Sequence, residues 1–344
     1  MTRVTDTELD ELLIKHKENP YDLDIINSIA IGYFQNYEKN TDKDDFDFFE
    51  KAYSLKKTVK STHNFAWFLY FEWSEIQWRW KEGDAIKKAL KIQKECVHLE
   101  PNSFYPYYQY AYMLMEEDKF TEAIRYLNIA KSKTKHRGIE HNLGFCHFRL
   151  GQYQLAKNHF SISSKAEDLE QRSLFNLALT EFKLNNLDKF IEIIDKLQNP
   201  RETDDPLMDY EIGQLLFLVN EFEKSAQWTI KQGVDGIDLL DWKELAYSIY
   251  RTNKKLFNIE LKKGISERQL WIEEINDNHP DWTEYSEEEK KEKLIELETE
   301  IKYRENIESE FQNKPILKVD ELLIVEPIYC LLFDCKLHGN LKND

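Results

Sequence analysis

Large apolar, small and polar positions follow one another in a fixed order that recurs along this chain. The clearest stretch is His141-Asn142-Leu143-Gly144-Phe145, then Leu150-Gly151-Gln152-Tyr153-Gln154-Leu155-Ala156, then Phe160. It reads as helix, turn, helix. Asn142-Leu143-Gly144 returns as Asn176-Leu177-Ala178, an offset of 34. Each triplet is followed by a matching turn, Leu150-Gly151-Gln152-Tyr153 and Leu184-Asn185-Asn186-Leu187. Tyr110-Ala111 precedes Leu143-Gly144 by 33, with its turn at Glu117-Asp118-Lys119-Phe120 and then Ala123, Leu127 and Ala130. Ile212-Gly213 and Val219-Asn220-Glu221-Phe222 continue the series at 35. A period near 34 predicts stacked helical hairpins. Two helices approach closely only where small residues face each other, and large ones fill the gaps between.

This order resembles the tetratricopeptide repeat (TPR) family. There, a large residue, leucine and a small residue mark the first helix. A glycine-type turn and an aromatic follow, then a second helix with spaced alanines ended by proline. Ala89, Cys96 and Pro101 fit that second helix and its end. The resemblance spans roughly residues 60–235. Upstream, Ala30, Gly32 and Ala52 read as a degenerate first unit with a longer loop from Glu38 to Asp45. The unit centred on Phe65-Ala66 carries extra residues around Trp73 to Gly83. Leu245-Ala246 opens a candidate seventh unit, although Leu256-Phe257-Asn258 lacks the alanine spacing, and Phe190 in place of alanine predicts a splayed hairpin. The expected fold is all-α. It comprises a TPR-like helical-hairpin solenoid of about six to seven repeats over 1–270, and a C-terminal charged capping helix with a short apolar tail packed on it over 271–344.

In the family, first helices line a concave surface. The register then places a partner-binding groove at Trp67, Tyr70, Tyr108, Tyr112, Phe145, Phe148, Phe175, Phe182, Tyr210, Phe217 and Tyr247. His63, Met115, His141, Leu179, Gln214, Lys243 and Tyr250 share those register positions. Aromatic side chains give large contact area at low entropy cost, so such a strip suits an inserted peptide. Family members that bind chaperone tails use a clamp of lysine, arginine and asparagine here. Asn64, Asn142 and Asn176 remain, but His63, Tyr108, His141 and Phe175 stand at the matching positions, so the resemblance does not carry that clamp over.

Composition narrows the function. Ten glycines and eight prolines in 344 residues favour helix over an all-β fold. The chain opens Met-Thr-Arg-Val-Thr-Asp, which predicts no signal peptide, and no run of about 18 apolar residues predicts a membrane span. Four scattered cysteines suit a reducing compartment, so the expected location is cytoplasmic. A net charge of −17 repels a phosphate backbone, which argues against nucleic acid and favours a protein or peptide partner of basic character. The local basic stretch Lys131 to Arg137 reads as lysines complementing a helix C-terminus.

After about residue 275 the pattern changes. His279-Pro280-Asp281 reads as a turn, and Ser286-Glu287-Glu288-Glu289 as a capping box opening a charged helix through about Phe311. Leu294, Leu297, Ile301 and Tyr303 give that helix a thin apolar stripe, suited to shielding the last repeat. Val319 to Val325 and Pro327 to Phe333 are apolar runs that demand cover. No Gly-rich phosphate loop, His-Glu-x-x-His or Gly-x-Ser-x-Gly is present, and the spacing of Cys330, Cys335 and His338 is not a zinc pattern. The expectation is a non-enzyme without cofactors. It is either a scaffold with an aromatic groove or an immunity- or antitoxin-like inhibitor that neutralises a basic protein through its acidic surface.

Overall fold

The computed structural model describes residues 4–36, 44–72, 82–166, 170–198, 207, 209–231, 242–326 and 330–335. Among these there are sixteen α-helices and no β-strand. The chain divides into two compact units, residues 1–163 with 325–344, and residues 164–324.

The first unit opens with α1 (Asp6–Glu18) and continues as four hairpins. These are α2 (Leu23–Gln35) with α3 (Asp44–Leu55), α4 (Val59–Phe71) with α5 (Glu82–Val97), α6 (Tyr105–Glu116) with α7 (Phe120–Lys131), and α8 (Arg137–Arg149) with α9 (Tyr153–Ser163). The second unit holds α10 (Glu170–Lys183) with α11 (Leu187–Leu197), α12 (Asp209–Leu218) with α13 (Phe222–Lys231), and α14 (Lys243–Thr252) followed by α15 (Lys254–Asn276) and α16 (Glu287–Glu310). Within each unit, second helices also pack on the first helix of the next hairpin, so the fold is the TPR-like stack that the period predicts.

The small residues sit where the helices cross. Ala66, Ala111, Ala178 and Ala246 are wholly buried. A Cβ on Gly144 would come within 2.8 Å of the Phe160 ring, so the α8/α9 crossing is closed by hydrogen on one side and an aromatic face on the other. Phe190 lies buried in α11 with its ring 5.5 Å from Phe182.

The turns obey one backbone rule. Asp118, Gly151, Asn185 and Asn220 all have positive φ, between 55° and 71°. At each, two hydrogen bonds close the first helix. Gly151 N–H donates to Phe148 C=O and Gln152 N–H to His147 C=O, both at 2.8 Å, and the other three turns repeat that pair. This is the Schellman arrangement, and glycine, asparagine and aspartate are the residues that reach the left-handed region most readily.

The capping box at Ser286 starts α16, and Phe311 ends it. Ile307 and Phe311 join Phe217, Ala246, Tyr247 and Phe257 in one core, with Tyr303 packed at its edge. Arg268 and Arg304 are both buried and both meet the Glu300 carboxylate, which ties α15 to α16. Most of the Glu38–Asp45 and Trp73–Gly83 insertions lie outside the described residues.

Candidate functional site

Asn64, Asn142 and Asn176 each stand two residues before the small residue of a first helix. Each is held at the same register position of its own hairpin's first helix. A carboxamide carries a donor and an acceptor side by side, so it can satisfy both main-chain groups of a single residue outside a helix. That pairing occurs three times.

In the first unit, Phe333 N–H donates to Asn64 Oδ1 at 2.9 Å, and Asn64 Nδ2 donates to Phe333 C=O at 3.3 Å. Glu326 N–H donates to Asn142 Oδ1 at 3.0 Å, and Asn142 Nδ2 lies 3.5 Å from Glu326 C=O. The same Nδ2 donates to the buried Tyr108 hydroxyl at 3.0 Å, which fixes the orientation of Asn142. In the second unit, Ile324 N–H donates to Asn176 Oδ1 at 2.9 Å, and Asn176 Nδ2 donates to Ile324 C=O at 2.6 Å.

Side chains anchor the same segment. In the first unit, Leu331, Leu332 and Cys335 are buried, and the Phe333 ring packs between His63 (5.0 Å) and Tyr105 (5.5 Å). His63 Nε2 donates to Leu331 C=O at 3.0 Å, while its Nδ1 accepts from Gln93 Nε2 at 3.2 Å, so the imidazole is neutral with its proton on Nε2. Complete burial pushes the His63 pKa down to about 4. Lys60 bridges Asp24 and Asp334 at 2.8 and 2.7 Å, and Gln35 Nε2 donates to Cys335 Sγ at 3.2 Å. In the second unit, Lys183 pairs with Asp320 at 2.8 Å. Lys314 Nζ donates to Phe217 C=O at 3.0 Å and to Asn220 Oδ1 at 2.6 Å, a cation on the C-terminal carbonyls of α12.

The eleven groove aromatics take varied places. Trp67 and Tyr70 each pack on Phe71 at 5.0 Å, and Tyr112 reaches the same ring at 6.2 Å. Tyr70 and Tyr112 are half-buried, and burial pushes the Tyr112 hydroxyl up to about 12. Phe145 lies under Arg149 and beside Phe120. Tyr108, Phe148, Phe175, Phe217 and Tyr247 are closed to solvent, with Phe148 against Tyr153 and Tyr247 against Phe311. Phe182 packs on Phe190, and Tyr210 stacks on Trp242 at 4.7 Å. The asparagines that reasoning from the resemblance set aside are the side chains that grip the main chain of the C-terminal segment.

Burial pushes the Cys96 and Cys146 thiols up to about 12, and a hydrogen bond to Cys335 followed by burial raises Cys330 as well. Among the described residues no group of three His, Cys, Asp or Glu side chains could hold a metal, and His338 lies outside them. No helix among the described residues is long and apolar enough to cross a membrane. Within the basic stretch, Lys131 is engaged with Glu140 at 2.8 Å and Lys133 lies over the Tyr107 ring.

The arrangement defines stacked TPR-like hairpins whose asparagines hold main chain of the C-terminal segment in each unit. No family model and no curated protein matches the sequence. Among solved structures, the chain is similar to the yeast Tom70 structure, with 15% identity and a TM-score of 0.49 over 89% of this chain and 61% of that one. It is also similar to the APC/C hetero-tetramer Cut9-Hcn1, with 13% identity and a TM-score of 0.49 over 70% and 46%. A third likeness is to Naa15/Naa10 bound to HypK-THB, with 14% identity and a TM-score of 0.36 over 84% and 41%. The chain thus spans less than two thirds of the length of each.

Proposed function

We propose that this protein is an interaction scaffold that holds an extended peptide segment of a partner protein on the first-helix faces of its hairpins, and that it acts by binding rather than by catalysis. The observation that supports this is the asparagine pairing. Asn64, Asn142 and Asn176 each donate to and accept from the main chain of one non-helical residue, Phe333 in a turn and Glu326 and Ile324 in irregular chain, a geometry that a merely packed core has no need to repeat. The test is capture from a lysate of the native cell with the full chain as bait. Asn142→Leu should reduce capture tenfold or more at unchanged helix content by circular dichroism. Undiminished capture by that variant would overturn the reading.

A second reading, neutralisation of a basic protein by charge, is favoured by the net charge of −17. Capture that survives Asn142→Leu but collapses above about 0.5 M salt would favour it, because exposed charge pairs are screened there.

A further inference from the structure

The segment that the asparagines hold is the protein's own. In the first unit, residues 325–326 and 330–335 lie on the faces of α4 and α8, and three features set them apart from the hairpin core. Most of their polar contacts run through main-chain groups, at Glu326, Leu331 and Phe333, while Lys60–Asp334 and Gln35–Cys335 are the side-chain contacts. Their side-chain anchorage is limited to Glu326, Leu331, Leu332 and Cys335, with Val325, Cys330 and Phe333 half-buried and Asp334 exposed. The hairpins close their own cores without them, as the Gly144–Phe160 crossing and the Phe46, Phe49, Phe65 and Phe68 cluster show.

Two polar side chains on the same face add a fourth feature. Gln109 occupies in α6 the register position that Asn142 holds in α8 and Asn64 holds in α4, two residues before the small residue. It is wholly buried, and neither its Oε1 nor its Nε2 has a hydrogen-bond partner among the described residues. Trp67, one turn along α4 from Asn64, is also buried with its Nε1–H unpartnered. Buried polar groups are rarely left so, and an unmade bond there costs more than a made one contributes. This face therefore carries more main-chain-reading capacity than the described tail residues use.

We propose that the C-terminal segment is an exchangeable internal occupant of the first unit's first-helix face. The partner it gives way to is an extended peptide of the same chemistry, with main chain presented to Asn64 and Asn142 and a leucine pair followed by an aromatic at the hook. This rests on the peptide-binding reading above. A peptide that also pairs Gln109 gains what the described tail residues leave unmet, which offsets the advantage the tail draws from its tether.

The experiment uses the full chain and a fluorescent synthetic peptide copying residues 323–335 as probe. Leu331→Asp with Leu332→Asp releases the hook, because two carboxylates cannot be buried in that apolar site. The released chain is expected to bind the probe at least tenfold more tightly than wild type. Adding Asn142→Leu should reverse the gain. A probe N-methylated at the Glu326 and Phe333 positions should bind at least tenfold more weakly, since it lacks both N–H donors. Equal affinity in wild type and released chain, still abolished by Asn142→Leu, would overturn exchange and leave the peptide-binding reading intact. No binding by any folded variant would overturn both. Amide exchange on the wild type reads the same question without a variant. The N–H groups of Glu326 and Phe333 should exchange at least tenfold faster than those of Leu143 and Gly144. Equally slow exchange, or loss of the cooperative melt in the released chain, would show that the segment is core and would overturn the proposal.

Discussion

At the scale of single residues, identity was legible in the sequence and pairing was not. Asn64, Asn142 and Asn176 stand out because they share a register, but their partners lie 269, 184 and 148 residues away, and no local pattern reports such a separation. Gln109 shows the same limit, since only the folded chain reveals that its amide is buried and unpartnered. Gln109→Met keeps the shape and removes both unmade bonds, so it should stabilise the unfolding transition by about 1–2 kcal/mol in urea titration. Lowered stability would mean that the amide has a partner. His63 makes a pH prediction whose sign follows from its neutral state. An unfolded histidine titrates near 6.5 and the folded one near 4, so between those values the unfolded chain binds the extra proton. The contribution, about 3 kcal/mol for a shift of that size, is fully present above pH 6.5 and lost as pH falls toward 4. Carboxylates lose stability in acid too, so the measurement is the difference between wild type and His63→Gln from pH 7 to pH 4. Gln can still donate to Leu331 C=O but does not titrate, and parallel curves would refute the assignment.

At the scale of elements, hairpins and turns were written plainly, because each depends on residues within one period. The left-handed turn residue recurs at 118, 151, 185 and 220, filled by Asp, Gly, Asn and Asn. Gly151→Val puts a β-branched residue there and should cost about 1–2 kcal/mol, whereas Asn185→Gly should be neutral or slightly stabilising. Thermal melts of the two variants check the rule, and an equal response would break it. Gly144→Leu should cost roughly 2–4 kcal/mol, because its side chain must displace a wholly buried Phe160 ring. The capping box at Ser286 and the end of α16 at Phe311 were equally readable. The position of the apolar runs after Val319 was not, since a short apolar stretch has no period of its own to name the face it will take.

At the scale of the whole molecule, the acidic balance and the tail act together. The net charge is −17, and three of the chain's cations, Lys60, Lys183 and Lys314, are committed to holding or orienting the C-terminal segment. Removing everything after Gln312 takes away Lys314, the two acidic partners Asp320 and Asp334, and the side chains of Leu331, Leu332 and Phe333 that cover the first unit's face. The truncated chain should keep its helices, because every hairpin closes on itself. It should also bind an apolar dye such as ANS several-fold more than the intact chain, and it should capture partner more strongly at low concentration or self-associate at high concentration. Tyr112→Ala with Phe145→Ala, made in that truncated background, should weaken the strengthened capture with helix content by circular dichroism retained; Tyr112 is half-buried and Phe145 buried beneath Arg149, so the double variant's melt is read alongside. Dye binding equal to that of the intact chain would mean that the C-terminal segment covers nothing.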